Sequence, residues 1–363
     1  MNKKLITLAI AGAVATPFAA QAGSLNVANQ DITLSGGITG AYVYQTDQKI
    51  DQFEVTDALL DFSSEAKAGG MGFDLGVGTL TGNTVVSPMG VIGAGAAAVN
   101  NTANTADVGV QYAVVSVMPT EALTVEAGLL PTNVGFEVFP SYGNDNILRG
   151  MVWGGQPAYY TGARATFAAG PMNVYAEANK NAFGGSCPSA TSSCPGSAIG
   201  VNGSFGGVDA ALNLLSVANN KSIVDLIVSG KAGPATYGVN FDYIKKSKVL
   251  KQASPGTDEK AYGLALYASF AMGDKAALPI RFEYINDGTS NLYGLNNPGA
   301  GGGIVSKTAY TFTITPTYNF TDSTFARAEL AYVTTDKKTM LMDDKGALTD
   351  TNLSIAFQGG VRF

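Results

Sequence analysis

Histidine is absent from all 363 residues. That excludes Ser-His-Asp nucleophilic catalysis and the Asp-His pairs some barrel proteases use. Carboxylate pairs such as Asp57 and Asp61 could in principle do acid–base work, but nothing around them adds a second catalytic group, so the chain does not read as an enzyme. Charge is scarce as well. Asp, Glu, Lys and Arg make up 14% of the chain, against roughly 25% in soluble domains. Long apolar runs are missing too: beyond residue 22 none approaches the roughly 18 uninterrupted residues of a membrane helix. A chain 46% apolar with 45 glycines, and rich in Thr, Val and Tyr, fits a sheet better than a helical bundle.

The first segment reads as an export address. Lys3 and Lys4 give a positive start, residues 5–20 are apolar and small, and Ala20-Gln21-Ala22 is the small-x-small pattern of a signal-peptidase site. Residues 1–22 are therefore expected to be a signal peptide, leaving 23–363 as one domain. Without Lys3 and Lys4, 20 basic residues (22 minus 2) face 28 acidic ones, a net charge of −8. That argues against nucleic acid or anionic lipid headgroups as partners. Cys187 and Cys194 lie in a Gly/Ser/Pro-rich stretch, and in an oxidising compartment such a pair reads as a disulfide. A metal or redox site is the alternative, for which no further soft ligands stand nearby. No cofactor motif is present. Asp343-Asp344-Lys345-Gly346 only faintly resembles a calcium loop, and its ligand spacing fails.

What recurs is two-residue alternation in blocks of about ten. In the final block Leu353, Ile355, Phe357, Val361 and Phe363 alternate with Asn352, Ser354, Gln358 and Arg362. Sixteen strands are predicted: 31–45, 53–66, 71–80, 107–118, 122–130, 158–168, 171–179, 197–205, 208–216, 222–231, 235–244, 260–271, 277–286, 308–320, 323–334 and 352–363. An even number suits a single-chain bacterial barrel, and each strand is long enough to cross a bilayer at a tilt. Connections alternate between tight turns, such as Ala169–Gly170, and long loops, such as 131–157. The fold class predicted is all-β, a transmembrane antiparallel barrel of about 16 strands in a bacterial outer membrane, with short periplasmic turns and long extracellular loops. Both termini fall on the periplasmic rim.

Charge placement supports the barrel. Arg164, Arg281, Arg327 and Arg362 fall on the parity opposite the apolar residues. So do Asp57, Asp61, Glu65, Asp74, Glu126, Glu177, Asp209, Asp225, Asp242, Glu283 and Glu329. A lipid-facing surface must exclude such groups, because a basic residue at the bilayer midplane costs about 2–4 kcal/mol. Outward aromatics gather near strand ends (Tyr42 and Tyr44, Tyr237 and Tyr243, Tyr262 and Phe270, Tyr310 with Tyr318 and Phe320), as in interfacial girdles. Pro316 has no N–H for the ladder, so a bulge or local misregister is expected there. Sixteen strands enclose a lumen too wide for side chains to fill.

The terminal Phe363 resembles the C-terminal assembly signal of outer-membrane proteins, which implies insertion by the barrel-assembly machinery. Gly128-Leu-Leu-Pro-Thr, Gly135-Phe-Glu137, Arg149, Gln156-Pro157 and Thr161-Gly-Ala-Arg164 resemble the pattern of the OmpL-like β-barrel porin-2 family. The resemblance implies passive diffusion of small polar solutes or ions. By it, loop 131–157 folds inward, with Glu137, Asp145 and Arg149 lining a constriction opposite Arg164, Glu126 and Glu177. Asp57, Asp61, Arg281, Glu283, Arg327 and Glu329 would line the wall. The alternative is that the loop lies over the mouth and its charges are solvated. Trp153, Tyr159 and Tyr160 are read as loop packing before a sugar-stacking track. Inward acids outnumber inward arginines, which points to mild cation preference. A homotrimer is a family analogy, with the Ala/Gly-rich loop 81–106 as its latch. The competing function class is a structural or adhesive barrel with a plugged lumen.

Overall fold

The computed structural model describes residues 23–27, 30–47, 49–81, 84–85, 108–183, 194–295, 306–338, 341–345 and 347–363. The expected signal peptide, Cys187 and the Gly90–Ala98 run lie outside them. Sixteen antiparallel strands close into a barrel. They are β1 (Gln30–Gln45), β2 (Ile50–Ser64), β3 (Gly70–Leu80), β4 (Gly109–Thr120), β5 (Leu123–Pro131), β6 (Tyr159–Ala169), β7 (Met172–Lys180) and β8 (Pro195–Phe205). The second half is β9 (Val208–Val217), β10 (Lys221–Ala232), β11 (Ala235–Lys246), β12 (Lys260–Met272), β13 (Ala276–Asn286), β14 (Thr308–Ile314 continued by Thr317–Asn319), β15 (Thr324–Thr335) and β16 (Thr351–Arg362). Each strand pairs with the next, and β16 returns to β1, from Gly37↔Arg362 to Gln45↔Ser354. The last residue finishes the seam: Phe363 N–H donates to Gly36 O at 3.0 Å and Gly36 N–H to Phe363 O at 2.9 Å. A short segment, Gly23–Val27, folds back on the start of β1.

The alternation separates two environments. Exposed large side chains such as Leu212, Leu214, Leu226, Phe241, Leu266, Phe282, Phe312, Leu330 and Phe357 face outward. Between them along the same strands, Asp225, Asp242, Arg281, Glu283 and Glu329 are buried inside. The tight turns sit on one rim. Gly206 and Gly207 connect β8 to β9 with φ of 60° and 86°, the left-handed pair that a two-residue hairpin turn requires.

Three expectations are corrected. Glu65 is not an inward strand residue: β2 ends at Ser64 and Glu65 is exposed in the following turn. Within β2 the register against β1 shifts at Thr39/Gly40, so Thr56 and Asp57 both point inward and the outward parity changes from Phe53 and Val55 to Leu60. A bulge does this by inserting one extra residue. At Pro316 the ladder breaks without slipping. Ile280↔Ile314 and Ala276↔Tyr318 keep one register on β13, and Ile314↔Leu330 and Thr317↔Arg327 keep one on β15. Thr315 N–H still reaches Pro279 O at 2.9 Å, and Pro316 O still accepts from Ala328 N–H at 3.0 Å. Pro316 removes the donor that would face Ala328, and Pro279, opposite Thr315, brings none on the other side.

Candidate lumen site

The long connection between β5 and β6, residues 132–158, lies inside the barrel. Wall carboxylates hold it by its backbone. Glu329 on β15 accepts from the successive amides of Ile147 (2.6 Å) and Leu148 (3.1 Å), and Thr315 adds a hydroxyl at 2.8 Å. Glu283 on β13 accepts from Met151 and Val152 amides, both at 3.0 Å, and from Thr311 at 2.6 Å. Asp57 on β2 accepts from Ser141 N–H at 3.1 Å and from its hydroxyl. On β11, Asn240 Oδ1 accepts from Phe136 N–H at 3.3 Å, and Gln156 donates to Asp242 at 2.8 Å. Hydrogen bonds to charged acceptors stabilise by about 1.5–3 kcal/mol each, and these anchors span four strands. The loop is a fixed strap. It does not lie over the mouth.

The seat is shaped as well as charged. Gly37 on β1 leaves room for the Tyr142 ring: a Cβ there would lie 2.7 Å from it. At Gly238 on β11 a Cβ would lie 2.5 Å from the Phe136 ring. The connection after β13 also turns inward. Asp287 accepts from the Ser290 hydroxyl (2.6 Å) and Leu292 N–H (2.7 Å), and Tyr293 packs over Gly263 and Gly155. Ile244 and Ile285 on the inner face join Val152, Tyr293 and Leu295 in a buried apolar cluster. The inner wall is therefore dry where loops cover it.

The predicted charged residues gather into three groups. Arg164 binds Glu177 at 2.8 Å, lies 3.8 Å from Glu126, and donates to Pro131 O at 2.8 Å, clamping the root of the loop. Glu137 is not opposite that group. It pairs with Arg281 on β13 at 2.5 Å and accepts from Gly150 N–H at 2.7 Å. Burial raises its pKa, and the guanidinium opposes the shift. Arg281 also lies 3.4 Å from Glu283. Arg149 is buried, donates to Thr81 O at 2.8 Å and stacks 5.0 Å from both Phe139 and Trp153. Burial pushes its guanidinium down from the usual range.

The third group lies towards the tight-turn rim. Arg327 donates to Gln358 (2.7 Å), Asn144 O (2.6 Å) and Ser141 O (2.8 Å). Asp145 lines a pocket with Arg327 and Arg362. Asp61 is half-buried and accepts from Tyr112 Oη. Trp153, Phe139, Tyr159 and Tyr112 form a continuous row with centroids 5.4–5.8 Å apart, whereas Tyr160 is buried outside that row. Among the described residues no group of three or more acidic or sulfur side chains is placed to hold a metal. Cys194, buried, donates its N–H to Asn181 at 2.7 Å.

A closed sixteen-strand barrel with a loop strapped across its interior is a porin architecture, and the sequence agrees. The family model of beta-barrel porin-2, OmpL-like, matches residues 7–363. The chain belongs to this family. Among solved structures the porin is similar to OmpT, an outer membrane protein of Vibrio cholerae, with TM-score 0.62 and 10% identity over 94% of this chain and 99% of that one. It is also similar to the outer membrane channel DcaP of Acinetobacter baumannii (TM-score 0.62, 11% identity, 94% and 100% covered). The anion-selective porin of Comamonas acidovorans gives 0.58 at 14% identity, with 92% and 99% covered. No curated protein sequence matches the chain. The porin is an outer-membrane channel protein of bacteria, and family and fold point away from an enzyme.

Inward glycines and paired loop amides were the anchors that sequence reasoning missed. The only signal for them was a glycine at an inward position, as at Gly37, Gly238 and Gly263, where a wall facing open water has no need of one.

Proposed function

We propose that this porin passes small hydrophilic solutes and ions by passive diffusion, through the space the strap leaves beside the wall. The carrying observation is the strap itself: successive backbone amides bound to Glu283 and Glu329 hold a narrowing element at mid-barrel. Asp145 on the strap and Glu126 on the wall are half-buried and supply charge to the constriction, while the buried Glu137, Arg149, Arg164 and Glu177 fix its shape. Asp61 is the half-buried wall residue of the path, while Asp57, Arg281, Glu283, Arg327 and Glu329 are buried against the strap and anchor it. Fixed charges of both signs at close range order water and favour small polar solutes.

Mild cation preference belongs to this reading. The inward arginines of the first two groups are covered by acids or loop, whereas Asp61, Asp74, Glu126 and Asp209 are only half-buried. Export by cleavage after Ala22, insertion through the Phe363 signal, assembly as a homotrimer and a Cys187–Cys194 disulfide stiffening the loop between β7 and β8 complete it. Single-channel conductance of the detergent-folded protein with solutes of graded size tests the reading. Stepwise conductance with a size cut-off and a cation-side reversal potential is expected. Conductance no higher than background would replace it with a plugged, structural barrel.

A further inference from the structure

Phe325 has two guanidinium groups beside its ring, Arg327 at 5.3 Å and Arg362 at 5.2 Å from its centroid. The two arginines differ in what they have left to give. Arg327 directs all three nitrogens at Gln358, Ser141 O and Asn144 O. Arg362 reaches Tyr142 O and Asn319 Oδ1 only at 3.4 and 3.5 Å, and its buried Nε has no acceptor. Across the same pocket stands the Asp145 carboxylate, to which no hydrogen-bond donor or ion-pair partner is directed among the described residues. The pocket measures about 30 Å³, and Tyr142, Ala277, Pro279 and Asn319 complete its walls. Its strand residues lie within a few positions of the tight turns, the rim that faces the periplasm in outer-membrane barrels.

An unsatisfied buried cation donor and an unpartnered carboxylate in one small cavity ask for a ligand with both complements. We propose that this pocket binds small amphoteric solutes, with the ligand carboxylate on Arg362 and its ammonium on Asp145. Charge-assisted hydrogen bonds are the strong kind, and the apolar faces of Phe325, Ala277 and Pro279 leave little room for a long side chain. The assignment deepens the channel reading and rests on it in treating the pocket as a stop on the solute path.

Burial pushes the Asp145 carboxyl up to about 7, against the pull of Arg327 and Arg362. These are the charged groups lining the pocket. An ammonium needs the ionised carboxylate, so affinity for an amphoteric ligand rises as pH climbs through about 7, whereas affinity for a plain carboxylate does not.

Ligand-observed NMR on the detergent-folded barrel tests this with glycine, acetate and methylammonium as probes. Glycine is expected to bind more tightly at pH 8 than at pH 5.5. Asp145→Asn should weaken glycine at least tenfold and leave acetate no weaker, while Arg362→Gln should weaken both. Should Arg362→Gln fail to fold, the pH series on the parent protein still decides. Equal binding of acetate and glycine, both indifferent to Asp145→Asn, overturns the proposal in favour of a bare anion subsite. Absence of glycine binding by a barrel that conducts also overturns it. Glycine binding by a barrel that does not conduct keeps the site and rejects the channel.

Discussion

Arg281→Met is the sharpest perturbation of the strap. Arg281 is fully buried and donates to Glu137 Oε1 at 2.5 Å, Leu148 O at 2.8 Å and Thr313 Oγ1 at 3.1 Å, with Glu283 at 3.4 Å. The side chains of Glu137 and Glu283 are 4% and 1% exposed, so water cannot replace the lost cation. One cation between two carboxylates leaves a local charge of −1, and its removal leaves −2. Breaking a buried pair from one side costs about 3–5 kcal/mol. Arg281→Lys keeps the charge but not the planar fork, and its loss should be about half as large. The defect should also depend on pH. Glu137 already has a raised pKa, and without Arg281 it takes up a proton more readily. At pH 5 the neutral acid tolerates burial, so the loss is smaller there than at pH 8.

The assay is built into the chain. Trp153, the single tryptophan, sits on the strap in the 3-10 turn Val152–Gly155, next to the amide of Val152 that binds Glu283. Guanidinium titration in micelles, read by Trp153 emission for the strap and by far-ultraviolet circular dichroism for the barrel, separates the two. The strap transition is expected to move by about 3–5 kcal/mol while the strand transition keeps its midpoint. A Trp153 transition within about 1 kcal/mol of the parent would refute the strap argument.

Two further substitutions probe shape and pairing. Gly238→Val drives a Cβ to about 2.5 Å from the Phe136 ring, and overpacking of this kind costs about 1–3 kcal/mol, again read on Trp153 ahead of the strands. Pro316→Thr supplies the missing N–H opposite Ala328, where the register already fits, so the barrel midpoint should rise by about 0.5–1.5 kcal/mol. Slowed hydrogen exchange near Ala328 would accompany it.

Barrel and strand order were legible in the sequence because lipid on one side and solution on the other impose a two-residue rhythm on every strand. That constraint is local, and residues such as Phe357 and Gln358 obey it wherever the chain goes. Predicted boundaries therefore differ from the observed strands by a few residues at most. Even the exceptions are local: Pro316 announced its lost hydrogen bond, although not that neighbouring strands would hold the register across the gap. The bulge at Thr56–Asp57 carries no comparable mark, since either residue can face inward.

The partners inside the barrel were decided by tertiary structure alone. Glu137 and Arg281 are 144 residues apart, as are the two ends of their hydrogen bond, and no rhythm along one strand says which wall a returning loop will touch. Arg164 meets Glu177 across a neighbouring hairpin, a pairing that register does determine. Glu329 meets Ile147 and Leu148 only because the barrel closes and brings β15 beneath the strap. Alternation placed these charges inside. Closure chose their partners, because a buried charge binds the nearest donor in space, however distant in sequence.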